Sequence, residues 1–165
     1  EKTGVLPYQT LSLTYLTVLY RFRGQMDQVQ EYAQRAIKAA EAAQMPDYVA
    51  AGKGNQAWFA WRKVDLLAAE QFGRTALEIW ERSPLVYPFQ WQALWPLIAV
   101  AQAHNEVEKS LTYILGLLDP KQQLLPDEIN HLLVGAIQAD SEGKRETVMV
   151  HLEQVGRLAR KMGYL

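Results

Sequence analysis

The residues best equipped for recognition chemistry are tryptophans and arginines. Trp58 and Trp61 stand three apart, Arg62 follows at once, and Trp95 and Arg21 come from other stretches of the chain. Indoles offer large flat apolar faces with one N–H donor, and tryptophan and arginine are enriched where binding energy concentrates. Such a set can stack on a sugar or a peptide aromatic while a guanidinium holds a carboxylate. The competing reading is that the tryptophans fill the protein's own core. Catalytic sets are harder to find. His104, His131 and His151 are far apart, with no His/Glu pair at metalloprotease spacing. Gly52-Lys53-Gly54-Asn55 lacks the spacing of a phosphate loop and follows no strand. There is no G-x-S-x-G, and Asp140 and Glu142 flank a turn as solvated carboxylates. The run from Arg157 to Lys161 complements the negative end of a helix. These residues predict no enzyme, no metal and no cofactor.

Composition narrows the classes further. Seventeen basic and eighteen acidic residues leave a formal charge of −1, without the basic excess of a nucleic-acid-binding domain. There is no cysteine, so disulfides and thiolate metal sites are excluded. No apolar run reaches the ~18–20 residues of a membrane span. The chain starts with neither methionine nor a signal pattern, and the expectation is a cytoplasmic segment of a longer protein.

The elements that must position these residues are helices. In Gly54–Trp80, Ala57, Ala60 and Val64 share one helical stripe, and Leu66, Ala69, Gly73, Ala76, Leu77 and Trp80 share another. Asp65 sits between them as an N-cap. Small residues on facing stripes predict a close antiparallel pair. Similar stretches follow along the chain. Glu1 to Leu6 reads as a frayed lead-in, a first helix runs to about Arg23, and Gly24 closes it. Asp27 with Gln30 resembles a capping box, as does Asn105-Glu106-Val107-Glu108. Pro96 falls inside a fifth helix and should kink or restart it. Pro126-Asp127 opens a seventh helix, and an eighth runs from about Arg145 to Gly163. No stretch carries a strand's alternation.

The helical pairs repeat. Ala36, Ala76, Leu117 and Val155 recur roughly 40 residues apart, as do Gly24, Val64, Asn105 and Gly143 at the hairpin turns, a period that signals a solenoid. The stretches AWFAWRKVDLLAAEQFGRTAL and YRFRGQMDQVQEYAQRAI resemble the tetratricopeptide repeat. The likeness covers nearly the whole chain as about four units, over residues 8–45, 47–83, 86–119 and 126–163. It departs from the family in unit length, about 34 residues there, and in the missing Trp-Leu-Gly opening. The longer unit is similar to degenerate repeats in bacterial signal-transduction ATPases and maltose-type transcription regulators.

The resemblance implies an all-α fold, a right-handed α-α superhelix of about eight helices whose first helices line a concave groove. It places Arg21, Phe22, Trp58, Trp61, Arg62, Gln92, Trp95, Gln102, Asn130 and Asp140 on or near that inner surface. The function expected is a protein–protein interaction scaffold or regulatory module of a larger bacterial signalling or transcription-regulatory protein, taking a protein, a peptide or a neighbouring domain. The alternative is a sensor of a sugar or other metabolite in the same groove. Direct nucleic-acid and membrane partners are not expected. With no capping helix after the eighth, Leu158, Met162, Tyr164 and Leu165 are expected to be partly exposed, to cover that edge themselves, or to pair two copies.

Overall fold

The computed structural model describes residues 5–165, which form eight α-helices and, among the described residues, no strand. They are α1 (Val5–Phe22), α2 (Met26–Ala42), α3 (Pro46–Arg62), α4 (Leu66–Glu81), α5 (Trp91–Ala103), α6 (Val107–Leu117), α7 (Asp127–Ser141) and α8 (Arg145–Lys161). None is long and apolar enough to cross a membrane. The lead-in expected over Glu1–Leu6 lies outside the described residues up to residue 4, while Val5 and Leu6 are already helical.

Each helical pair turns by the same device. Gly24, Val64, Asn105 and Gly143 adopt φ of 66°, 63°, 56° and 69°. At every one of these turns two amides reach back to carbonyls of the preceding helix in the crossed pattern of a Schellman motif. At the first turn Gly24 N–H donates to Arg21 O (2.9 Å) and Gln25 N–H to Tyr20 O (2.9 Å). At the second, Val64 N–H donates to Trp61 O (2.9 Å) and Asp65 N–H to Ala60 O (3.0 Å). Within the hairpins the left-handed residue thus recurs at the four positions that share a sequence register, and Gln44 (φ 54°) makes the same turn between α2 and α3. Val64 is consequently the turn itself, exposed to solvent, and not part of the buried stripe with Ala57 and Ala60.

Capping is simpler than the sequence suggests. Asp65 does cap α4, accepting from Ala68 N–H at 3.0 Å. Neither expected capping box forms. Gln25 and Glu106 occupy the N-cap positions of α2 and α6 without a side-chain bond to the helix end. The Schellman turn sets the chain's entry into the next helix, which moves the cap off Asp27 and Asn105.

The hairpins stack: α1 packs on α2 and α3, α3 on α4 and α5, and α5 on α4 and α6, a packing compatible with a helical-repeat solenoid. Small residues set the spacing. A Cβ on Gly54 would meet the backbone of Gln92 and Ala93 at 3.0 Å, so α3 and α5 approach at the limit of contact. The centre is α5, buried at every residue from Trp91 to Ala101, as expected of a helix that is apolar all round. It runs through Pro96 as one continuous helix rather than restarting.

The last hairpin joins through bulkier side chains. Ile129 and Leu133 of α7 share a core cluster with Trp95, Ile98, Leu111 and Ile114. It is α8 that touches α5, with Gln102 Nε2 donating to Leu152 O at 2.9 Å, while α7 lies against α6. Beyond α8, Gly163 (φ 83°) turns the chain back. Leu165 is buried and Tyr164 half-buried against α1 and α5, so two of the four terminal apolar residues cover the edge themselves.

Candidate functional site

Two adjoining features stand out, a pocket and the buried cation behind it. The pocket holds about 190 Å³ and is walled chiefly by aromatic rings. Tyr15, Val18 and Phe22 come from α1, and Tyr48 from the first turn of α3. Tyr87 and Phe89 come from the α4–α5 connector, and Trp91 and Gln92 from the start of α5. Thr14 of α1, Gln123 of the α6–α7 loop and Tyr164 complete it, and no charged side chain among the described residues lines it.

The rings hold one another in place. Tyr87 stacks on Trp80 with centroids 5.1 Å apart and meets Tyr48 and Phe89 edge-on at 5.8 and 5.6 Å. Trp91 Nε1 donates to Gln123 Oε1 at 3.0 Å, which fixes the indole at the pocket wall. Burial raises the Tyr87 phenol well above its ordinary value and pushes those of Tyr48 and Tyr164 up as well, so these walls are neutral at physiological pH.

Behind the wall, Arg21 is completely buried. Nη1 donates to Gln92 O at 2.8 Å and to Asn55 Oδ1 at 3.3 Å, and Nη2 donates to Tyr164 O at 2.6 Å. Its guanidinium carbon lies 5.0 Å from the Trp91 ring centroid and 5.5 Å from that of Trp58. Asn55 is anchored in turn, its Nδ2 donating to Ala51 O and to Gln92 Oε1, both at 2.9 Å. Among the described residues no carboxylate lies within 4.0 Å of Arg21 to balance its charge. Burial accordingly pushes the guanidinium well below its ordinary value. Arg21 Nε and the indole N–H groups of Trp58 and Trp95 are buried without a partner. An unsatisfied buried donor costs about 1–3 kcal/mol, so this part of the core has more donors than acceptors.

The residues expected in an open groove are thus distributed differently. Trp58, Trp95, Gln92 and Arg21 are interior, and Trp58 lies within cation–π range of both Arg21 and an exposed Arg62, 5.2 Å away. Trp61 is half-buried between two core clusters, and Gln102 braces α5 against α8. Asn130 and Asp140 are exposed on α7, which packs against α6. Of the expected set, Gln92 and Phe22 line the pocket, with Arg21 directly behind it.

Sequence reasoning missed Tyr15, Tyr48, Tyr87, Phe89, Trp91, Gln123 and Tyr164. One signal was available. Val5 to Tyr20 carries no charge, and Tyr8, Tyr15 and Phe22 recur at heptad spacing, so α1 is uncharged on the face turned away from its helical neighbours as well. Tyr8 and Tyr15 are 74% and 63% exposed. No family model matches the chain, and no curated protein and no solved structure matches it either.

Proposed function

We propose that this is a cytoplasmic, tetratricopeptide-like regulatory module of a bacterial signalling or transcription-regulatory protein, and that it works as a small-ligand sensor. The observation that carries this reading is the uncharged aromatic pocket between the first hairpins and the end of the chain. Its volume, about 190 Å³, lies below the ~300–1,000 Å³ of sites for drug-sized molecules, which suits a ligand with a single ring. A sugar fits less well. Gln92 Oε1, Gln123 Oε1 and the Thr14 hydroxyl are already engaged within the protein, so a sugar's hydroxyl groups would depend mainly on the hydroxyls of the lining tyrosines. Residues from α1, α3, α5 and the segment after α8 meet at this one place, so a ligand there would bear on how the hairpins sit together.

The test is a thermal-shift and tryptophan-fluorescence screen of small aromatic and sugar ligands on wild type and Tyr15→Ala. Tyr15 is mostly exposed, so the substitution should leave the melting temperature nearly unchanged while abolishing any shift caused by a hit. A screen in which no compound moves either signal, or in which hits survive Tyr15→Ala, would sink the sensor reading.

The scaffold reading is favoured by a different observation, the exposed apolar face of α1 formed by Val5, Tyr8 and Leu19. Tyr8→Lys is expected to abolish partner capture in a pull-down from the source cell if that face is the contact, and unchanged capture would remove it.

A further inference from the structure

Arg21 has a half-filled edge. Nε and Nη2 are the two donors of one side of a guanidinium, the side that a carboxylate grips with both oxygens. Here Nη2 is taken by the carbonyl of Tyr164 at 2.6 Å, and Nε has no partner. A backbone carbonyl supplies one oxygen where the edge has places for two. The other two acceptors, Gln92 O and Asn55 Oδ1, are on Nη1 and leave that edge unchanged.

Tyr164 is the wall that lies outside the helices, its amide tied back to Ala159 O at 2.9 Å. Gln92 and Tyr164 both line the aromatic pocket and both give Arg21 a carbonyl, and the Trp91 ring also stands between cation and cavity. Gln92 is locked into α5, whereas Tyr164 sits in the three residues after the last turn of α8. Its ring leans on Phe22, Trp91 and Trp95 at centroid distances of 5.6, 5.2 and 5.7 Å, and Leu165 beside it is buried. These contacts are ones that another aromatic group of similar size can replace.

We propose that the pocket takes a small arylalkanoate, whose ring occupies the aromatic cavity and whose carboxylate displaces the Tyr164 carbonyl to grip Nε and Nη2 of Arg21. The proposal rests on the sensor reading of the same pocket. It makes residues 163–165 a resident plug and Arg21 the charge selector beneath it. The exposed Arg62, outside the pocket lining, takes no part.

The experiment titrates 3-phenylpropionate and its neutral isostere 3-phenylpropionamide into wild type and Leu165→Ala, followed by tryptophan fluorescence. Leu165 does not line the pocket, and its truncation loosens the plug. The acid is expected to bind at least about 10-fold more tightly than the amide, as a charge-assisted bidentate contact requires. It should bind severalfold tighter again to Leu165→Ala, with the amide indifferent to that change. Equal binding of acid and amide overturns the proposal but leaves the pocket a ligand site. Binding of neither overturns both readings, and an acid preference that Leu165→Ala leaves unchanged overturns the displacement. The wild-type comparison decides the charge preference even if the variant fails to fold.

Discussion

Pro96 and Arg21 are joined through a single carbonyl. Proline has no N–H, so the Gln92 carbonyl four residues earlier in α5 has no helical donor from that position. That carbonyl is the one that accepts Arg21 Nη1 at 2.8 Å. The helix-breaking residue thus supplies the acceptor that lets a guanidinium be buried 71 positions away from Gln92 in sequence.

Replacing Pro96 by alanine therefore tests two opposed effects. Helix propensity alone favours alanine by about 3 kcal/mol in a helix interior. The restored amide competes with Arg21 for the Gln92 carbonyl, and the buried ring leaves a void. The expected result is a net loss of about 1–2 kcal/mol, read as a lower urea midpoint with an unchanged slope. A gain in stability would show that Gln92 O is not essential to Arg21.

Gly54→Ala addresses the same site from α3. The new methyl would sit 3.0 Å from the backbone of Gln92 and Ala93, with only backbone to yield. Overpacking of this kind costs about 1–3 kcal/mol. Because Asn55 is the next residue, the shift should also loosen its bond to Arg21, visible as a changed tryptophan emission from Trp58 and Trp91 in the native state.

Val64→Gly should stabilise the protein. Val64 is a β-branched residue at φ 63° and 79% exposed, so it strains the backbone while burying little. Left-handed backbone costs a non-glycine residue about 1–2 kcal/mol, and the extra freedom of unfolded glycine offsets part of that. The expected gain is about 0.5–1 kcal/mol after that offset, measured by thermal or urea unfolding. The same substitution at Asn105 should gain less, since asparagine tolerates this conformation.

The ion pair between the start of α8 and α6 carries a pH signature. Arg145 Nη1 donates to Glu108 Oε1 at 2.6 Å, and this bond holds the Glu108 carboxyl below its ordinary value. A folded-state value below the unfolded one gives stabilisation that is complete above the ordinary carboxylate range and is lost as pH falls through the depressed value. Melting curves of wild type and Glu108→Gln should differ at neutral pH and converge at acid pH. Parallel curves across that window would show that the pair contributes nothing.

Much of the architecture was legible because it rests on local rules. Turn residues and helical stripes mark all eight helices, and the register of Gly24, Val64, Asn105 and Gly143 locates the Schellman turns inside the four hairpins, with the same turn also at Gln44 and Gly163. The capping boxes at Asp27 and Asn105 misled because the crossed turn bonds already fix those helix entries. The site was less legible because it depends on closure. An open groove would expose Trp58, Trp95 and Arg21; here they are covered by α5 and by residues after α8. Tyr87 and Phe89 lie in a connector with no periodicity to betray their direction. The proline in α5 was visible, but its freed carbonyl acquires meaning only once α1 lies beside it.

The bond from Arg21 to Tyr164 spans 143 positions in a chain whose helices otherwise meet mainly their near neighbours in sequence. Local hairpins form early, whereas closing long loops is slow. As the chain leaves the ribosome, α1 and its arginine emerge well before α8. Burial of Arg21 therefore draws on early and late segments together, since Asn55, Gln92 and Tyr164 all supply its partners. The pocket wall is finished only when Tyr164 reaches α1 and α5, so no single hairpin can build the site alone.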